Sequence, residues 1–143
     1  MPNYGECHST VIRASPEACF DALTDYEALP SWQGAVRSVQ VLERDADGSG
    51  AVVEFEVDAK LKRVRYRLRQ IEERPHRLGC EYLGGDFRDF SGEWRFAPDG
   101  SGTRVELELH IDPGRLVPRP VRAAIANAVM SRALADLKRY LQA

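Results

Sequence analysis

Two neighbouring stretches alternate apolar and charged residues so strictly that each is predicted to be a strand with one apolar and one charged face. Residues 53–59 (VEFEVDA) place acidic side chains between apolar ones, and residues 63–69 (RVRYRLR) place arginines there. Because side chains alternate faces along a strand, an antiparallel hairpin turning near Lys60 would set the acids opposite the arginines. A slip of one residue would bury this charge, so the pattern predicts both the sheet and its register.

The period of two continues on both sides of this hairpin. Five further stretches read as strands: residues 6–13, 35–44, 77–83, 87–96 and 105–111. Turns rich in glycine, aspartate and proline separate most of them. Gly92 has no side chain to pack in mid-strand, so it indicates a bend or the close approach of another group to the sheet.

The chain closes with a predicted helix at residues 118–143, which contain no glycine and no proline after Pro120. Strong helix formers fill it, and about 25 residues at 1.5 Å each make a rod of roughly 37 Å. A second apolar stripe, formed by Val121, Ile125 and Val129, needs a cover of its own: residues 26–32, the linker 112–118, a second subunit or a membrane. The main apolar stripe consists of Ala123, Ala126, Met130, Ala133, Leu134, Leu137 and Leu141.

Two short helical segments follow the first strand. Ser15-Pro16-Glu17 is a helix entry, with a serine cap, a proline in the first turn and an acid beside it, and residues 26–32 offer a second helical turn. A meander with one apolar face must cover that face, and only the terminal helix is long enough. We therefore expect one α+β domain over residues 1–143, with a seven-stranded antiparallel sheet wrapped around the C-terminal helix.

Charge and composition argue against several classes of protein. Twenty basic residues balance twenty-two acidic ones, and the net charge of -2 argues against a nucleic-acid binder. No stretch approaches the roughly 20 apolar residues of a transmembrane segment, and residues 1–6 lack the basic start and apolar run of a signal peptide. The three cysteines have no metal-like spacing, so we expect reduced thiols in a cytoplasmic protein.

Familiar catalytic and metal-binding motifs are absent from the sequence. It contains no GxSxG, HExxH or CxxC motif, and His8, His76 and His110 fall in separate elements without ligand spacing. The carboxylates suited to acid–base chemistry lie on the predicted outward faces of the strands. We therefore assign no catalytic residue, no metal and no cofactor.

The predicted inner face is rich in aromatic side chains, which suits either a packed core or an apolar pocket with a few polar groups. Tyrosine hydroxyls and indole N–H groups would supply those polar groups. Arg88 falls at the start of a strand, either at the pocket mouth or in solvent. The residues predicted to contact a ligand are Trp32, Phe55, Tyr66, Tyr82, Arg88, Phe90, Trp94, Leu107, Ile125, Val129 and Met130.

Four motifs occur along the chain in this order: Ala14-Ser15-Pro16-Glu17 with Phe20 and Leu23, then Tyr26, Pro30 and Trp32, then Val41-Leu42-Glu43-Arg44, then Gly85-Asp86-Phe87-Arg88 through Gly92-Glu93-Trp94-Arg95-Phe96. Together they resemble the START-like, or helix-grip (SRPBCC), superfamily, which includes polyketide cyclases, coenzyme-Q-binding START proteins and plant pollen allergens. The last motif is most similar to the coenzyme-Q-binding branch, whose members include homologues of ribosome-associated toxins. The resemblance implies a seven-stranded antiparallel sheet that grips the terminal helix around a hydrophobic cavity.

Three functions are compatible with this resemblance. The first, favoured by the aromatic inner face, is a non-enzymatic binder of a quinone, lipid, isoprenoid or aromatic polyketide. Such a protein would have a hydrophobic ligand as its partner. A transient contact with a membrane surface, or a homodimer, is compatible with the same sequence. The second is a polyketide cyclase or aromatase, and the third is a protein-interaction module of the ribosome-associated toxin type, which would expose an apolar patch.

The arginines of residues 63–69 bear on the second function. The resemblance implies that the aromatase branch uses an inward-facing arginine in the central strands. Alternation here turns the arginines outward, although a bulge would reverse that phase. The residues concerned are Arg63, Arg65, Arg67 and Arg69.

Overall fold

Seven strands and a long helix form the fold within residues 5–59, 62–114 and 117–142, which the computed structural model describes. The strands are β1 Gly5–Ile12, β2 Val36–Arg44, β3 Gly50–Ala59, β4 Lys62–Glu73, β5 Arg77–Gly85, β6 Asp89–Asp99 and β7 Gly102–Asp112. They pair antiparallel in the order β1-β7-β6-β5-β4-β3-β2. The predicted meander is therefore confirmed, and the first strand lies beside the last.

The hairpin of β3 and β4 has the predicted register. Glu54 pairs with Arg67 and Glu56 with Arg65, while Phe55 lies opposite Tyr66 on the other face. The predicted turn near Lys60 lies outside the described residues. All four arginines of the row face outward, so the prediction of their phase is confirmed. Their ion pairs are Arg63 with Asp58 at 3.6 Å, Arg65 with Glu56 at 2.7 Å, Arg67 with Glu54 at 2.8 Å and Arg69 with Asp45 at 3.4 Å.

Both predicted short helices form after β1. Helix α1, Pro16–Thr24, begins where the Ser15 hydroxyl accepts a hydrogen bond from the Ala18 N–H at 3.1 Å. A 3₁₀ helix, Tyr26–Ser31, follows it. The Tyr26 hydroxyl donates to the Glu72 carboxylate of β4 at 2.7 Å, which fixes the 3₁₀ helix to the edge of the inner face.

Helix α2, Arg119–Gln142, packs against β1 and β7. Its buried stripe matches the predicted one from its second turn onward, with Ala126, Met130, Leu134 and Leu137 at most 5% exposed. Ala123 was predicted to belong to this stripe but is exposed. The first turn lies on the preceding linker instead, because the Arg122 guanidinium donates to the carbonyls of Val117 and Gly114 at 2.7 and 2.8 Å.

Strand β6 begins two residues later than predicted. Asp86, Phe87 and Arg88 form a bend, since the Asp86 N–H donates to the Arg65 carbonyl and the Arg88 N–H to the Asp112 carbonyl, both at 2.8 Å. The bend therefore connects β4 with β7. Phe87 lies outside β6, so the alternation of that strand does not fix the direction of its side chain.

Gly92 of β6 shows which group approaches the sheet closely. A Cβ atom at this position would clash with the carbonyl oxygen of Glu108 in β7. The glycine is thus required for the close pairing of these two strands.

Candidate functional site

A cavity of about 150 Å³ lies between the inner face of the sheet and α2. Its wall is formed by residues of β3 to β7, α2, the short helices and the segment that leads into β2. This volume is comparable to that of an apolar cavity that takes up a single benzene ring. The fold therefore provides an internal space of the size of a small ring compound.

Tyr66 lies at the centre of an aromatic cluster in this wall. Its ring stacks on Phe55, with centroids 5.4 Å apart, and on Phe90, with centroids 5.2 Å apart. Phe87 adds a tilted contact at 5.2 Å. The first contact follows from the hairpin register and the last from the bend, so three separate pieces of the chain bring the four rings together.

The Tyr66 hydroxyl makes no hydrogen bond with any residue that the structure describes. Burial raises the pKa of the Tyr66 phenol well above its ordinary value, with a smaller contribution from Cys80 and Tyr82 nearby. The group therefore stays protonated and offers a hydrogen-bond donor in an apolar wall.

Gln33 and Gln70 also line the cavity, and each side chain is only 9% exposed. Gln70 follows Tyr66 and Leu68 on the inner face of β4, so the alternation of that strand already pointed to it. Gln33 lies between the 3₁₀ helix and β2, where the sequence has no period. Neither glutamine was predicted as a site residue.

The carboxylates of the wall are held by arginines. Among the described lining residues these carboxylates belong to Asp58, Glu93 and Asp136. Asp58 lies 3.6 Å from both Arg37 and Arg63, and Asp136 lies 3.2 Å from Arg139 and accepts from the Gly34 N–H at 2.9 Å.

Glu93 makes ion pairs with Arg77 at 2.9 Å and with Arg95 at 3.0 Å. Burial alone would raise the pKa of Glu93, but hydrogen bonds from these two arginines outweigh it and hold the pKa below its usual value. Paired in this way, none of the three carboxylates is well placed to act as a general base.

Cys80 contributes a thiol to the same wall. Burial raises the pKa of the Cys80 thiol to about 11, and the Sγ atom donates to the Gly92 carbonyl oxygen at 3.4 Å. At neutral pH the group is therefore a protonated thiol and a poor nucleophile. Cys7, Cys19 and Cys80 are all free.

Most of the predicted ligand contacts lie in the cavity wall. Because the residues alternate along the strands and recur every turn of α2, the inner face collects them as the patterns predict. Their contact with a ligand stays a prediction. The residues in the wall are Phe55, Tyr66, Phe90, Trp94, Leu107, Ile125 and Val129.

Four predicted contacts lie elsewhere. The Trp32 ring stacks on Tyr140 of α2 at 4.7 Å, and the Tyr82 hydroxyl donates to the Phe87 carbonyl at 2.7 Å. The Arg88 side chain is 56% exposed and lies 3.8 Å from Asp112, so it is in solvent. Met130 is fully buried, because it lies one position beyond Val129 on α2 and points into the core instead of the cavity.

Two further observations concern possible metal ions and membranes. Within the described ranges, no group of three or more histidine, cysteine, aspartate or glutamate side chains is arranged to hold a metal ion. In the same ranges, no helix combines the length and the apolar character needed to cross a membrane.

The seven-stranded sheet, the long C-terminal helix and the cavity between them define a START-like, helix-grip protein. The chain belongs to the family described as polyketide cyclase / dehydrase and lipid transport, whose model matches residues 8–142. The predicted resemblance and fold class are thus confirmed. No curated protein sequence matches the chain.

Solved structures of the same fold cover nearly the whole chain. A START superfamily protein from Mycobacterium smegmatis has a TM-score of 0.89 and 18% identity over 96% of this chain and 97% of that one. Zhui aromatase/cyclase from Streptomyces sp. R1128 has a TM-score of 0.85 and 17% identity, over 96% and 93%. A STAR-related lipid transfer protein fragment from Xanthomonas axonopodis has a TM-score of 0.75 and 17% identity, over 97% and 86%. These similarities show the fold, and the coenzyme-Q-binding branch stays a prediction.

Proposed function

We propose that this protein binds a hydrophobic small molecule in the cavity between the sheet and α2. The observation that carries the proposal is a largely apolar cavity whose wall includes the stacked rings of Phe55, Tyr66 and Phe90. Ligand sites combine apolar walls of this kind with a few polar groups that orient the ligand. The family description, with its polyketide cyclases and lipid transport, supports the same class of ligand.

The volume of the cavity restricts the ligand. A space of about 150 Å³ suits one ring, whereas sites for larger ligands measure about 300–1,000 Å³. A quinone with its tail, an isoprenoid, a lipid or an aromatic polyketide therefore requires the wall to move. Ile125 and Val129, partly buried on the first half of α2, are the part of the wall best placed to do so.

Some of the predicted contact residues line the cavity, and others support its wall from the core. We assign ligand contact to the seven that line the cavity, from Phe55 on β3 to Val129 on α2. Trp32 and Met130 belong to the core that holds this wall in place. Val121 remains exposed at the start of α2, so a homodimer or a membrane-surface contact at that point stays a prediction.

A polyketide cyclase or aromatase is the second candidate, and Tyr66 is the observation that favours it. Its hydroxyl is a protonated donor in the apolar wall, suited to hold a substrate carbonyl. A proton acceptor is harder to find, because the carboxylates among the described lining residues are paired with arginines and the Cys80 thiol is protonated. Binding without catalysis is therefore the function that the site supports best.

A variant that fills the cavity tests the proposal. Val129→Phe places a ring where a ring-sized ligand would lie, so we expect it to weaken the binding of benzene by at least about tenfold, equivalent to about 1.4 kcal/mol. Ala128→Phe is the matched control, because Ala128 is the neighbouring residue of α2 and is exposed. Calorimetric titration of the purified proteins measures both affinities.

Organic extraction of the purified wild-type protein, followed by mass spectrometry, adds an independent test. We expect a co-purified hydrophobic compound. The proposal is wrong if the extract carries none and benzene also fails to bind, or if both phenylalanine variants bind benzene as wild type does.

A further inference from the structure

The buried polar side chains of this protein fall into two groups. Five are at most 9% exposed in the described part of the chain. Three of these have partners: the Thr24 hydroxyl donates to the Phe20 carbonyl, the Thr103 hydroxyl to the Ala14 carbonyl, and the Asp136 carboxylate accepts from the Gly34 N–H. The other two are Gln33 and Gln70. The Gln33 Nε2 atom is buried without a hydrogen-bond partner, and the Gln70 carboxamide makes no hydrogen bond with any described residue.

Both carboxamides without partners line the one cavity described above. A buried polar group that lacks a hydrogen bond lowers the stability of the folded chain, so such groups are rare in protein interiors. The Gln33 Nε2 atom is such a group, and the Gln70 carboxamide lines the same cavity, so packing alone does not account for their position. A ligand that exchanges hydrogen bonds with them would account for both.

The backbone holds Gln33 firmly in position. Its N–H donates to the Leu29 carbonyl at 2.8 Å, and its carbonyl accepts from the Val36 N–H at 3.0 Å. The next residue, Gly34, donates its N–H to the Asp136 carboxylate of α2 at 2.9 Å. The carboxamide is therefore presented to the cavity from a fixed segment, which lowers the entropic cost of binding.

Gln70 is fixed by the sheet. Its neighbours in the register are Ala51 of β3 and Cys80 of β5. It lies four residues from Tyr66 on the same face of β4, about 13 Å along the strand. Two different polar side chains thus stand in the wall with Leu68 between them, and the carboxamide of Gln33 adds a third from outside the sheet.

We propose that Gln33 and Gln70 are specificity-determining residues, which select a neutral ring compound bearing hydroxyl or carbonyl oxygens over a plain hydrocarbon. The inference rests on the proposed function of the cavity. A carboxamide offers both a donor and an acceptor, so it pairs with either kind of oxygen. A hydrocarbon or an acyl chain would leave both carboxamides without partners.

The charges of the cavity wall indicate a neutral ligand. Arg132 is the cation among the described lining residues, and it is 56% exposed and lies 3.8 Å from Asp136. The lining carboxylates already have arginine partners. An ionised group among the carboxamides would therefore lose its hydration without gaining a counter-ion.

Paired ligands of equal shape provide the test. Benzene and phenol differ by one hydroxyl, and we expect wild type to bind phenol about tenfold more tightly, the value of one good hydrogen bond. The double variant Gln33→Met/Gln70→Met keeps the length of both side chains and should lose this preference. Gln40→Met, at an exposed position of β2, should retain it. Calorimetry gives the four affinities, and thermal unfolding without ligand gives the stability.

Each outcome decides the question. A lost preference, with unfolding of the ligand-free double variant at or above the wild-type temperature, supports the inference. If the double variant loses the preference and unfolds at a lower temperature, the inference stands when its affinity for the hydrocarbon equals that of wild type and is wrong when that affinity falls as well. If both compounds bind wild type equally, or if the preference survives in the double variant, the inference is wrong while the proposed function stands. A double variant that unfolds at a lower temperature with its preference intact shows a structural role instead. If neither compound binds wild type, the inference is wrong, and the proposed function fails with it when the organic extract is also empty.

Discussion

The polar groups on the two faces of β4 differ in whether they have partners. On the outer face, Arg63, Arg65 and Arg67 each lie within 4 Å of a carboxylate of β3. On the inner face, the Tyr66 hydroxyl and the Gln70 carboxamide have no hydrogen-bond partner among the described residues. The first set lies in solvent, and the second lines the cavity. The outer charges therefore satisfy one another, whereas the inner polar groups can still bind a further molecule.

The largest contrast between the faces concerns packing. Phe96 is 3% exposed on the inner face of β6 and meets Phe20 edge to face at 6.0 Å. Because Phe96→Ala leaves a void in the core, we expect it to lower the free energy of unfolding by about 3–5 kcal/mol. Arg95→Ala removes the adjacent side chain, on the outer face, and should cost under about 1 kcal/mol.

Urea unfolding followed by circular dichroism measures both values. Equal losses for the two variants would contradict the contrast, since they would mean that the outer ion pairs contribute as much as the core.

The faces of the sheet could be predicted from the sequence because alternation is a local property. Each residue of a regular strand points to the face that its neighbour two positions away occupies. The same pattern predicted that the acids of β3 oppose the arginines of β4, as in the pair of Glu54 and Arg67. Alternation excludes a slip of one residue but not a slip of two, so it did not identify the individual pairs. The fold class could therefore be predicted from local patterns and from the requirement that the apolar face of the sheet be covered.

The residues of the cavity wall were harder to predict where the chain does not form a regular strand. Phe87 enters the aromatic cluster from a bend that is set by hydrogen bonds to Arg65 and Asp112, and no local pattern contains those partners. Trp32 was expected near a ligand but stacks on Tyr140, more than a hundred residues away in the chain. Gln70 is the exception. The alternation of β4 places it on the inner face, so extending the predicted strand by one residue would have identified it.

A smaller difference is expected in the stability of the fold at low pH. Hydrogen bonds from His110 and Arg95 hold the pKa of Glu108 below its ordinary value, and the pKa of Glu93 is also lowered. Carboxylates with a lowered pKa stabilise the fold above the unfolded-state pKa, near 4.3, and this contribution is lost as the pH falls through the folded-state pKa. We therefore expect stability to fall between about pH 5 and pH 3, by up to about 1 kcal/mol from the ion pairs of these two carboxylates.

The variant Glu93→Gln/Glu108→Gln should show a shallower loss over this range in urea unfolding at pH 5, 4 and 3. Glu81→Gln is the control, because the exposed Glu81 makes no ion pair with any described residue. Equal acid slopes for wild type and the double variant would show that these two carboxylates do not carry the effect.

The smallest effect is expected from exchanging one outer pair. The Arg67 Nε atom lies 2.8 Å from the Glu54 Oε2 atom, and both side chains are at least partly exposed. Arg67→Glu sets like charges opposite each other and should cost about 0.2–1 kcal/mol, while the double exchange Glu54→Arg/Arg67→Glu should recover most of it. Benzene affinity should stay unchanged in both variants, because residues 54 and 67 point away from the cavity. A change in that affinity would mean that the two faces of β4 are coupled, and the outer pairs would then be part of the binding site.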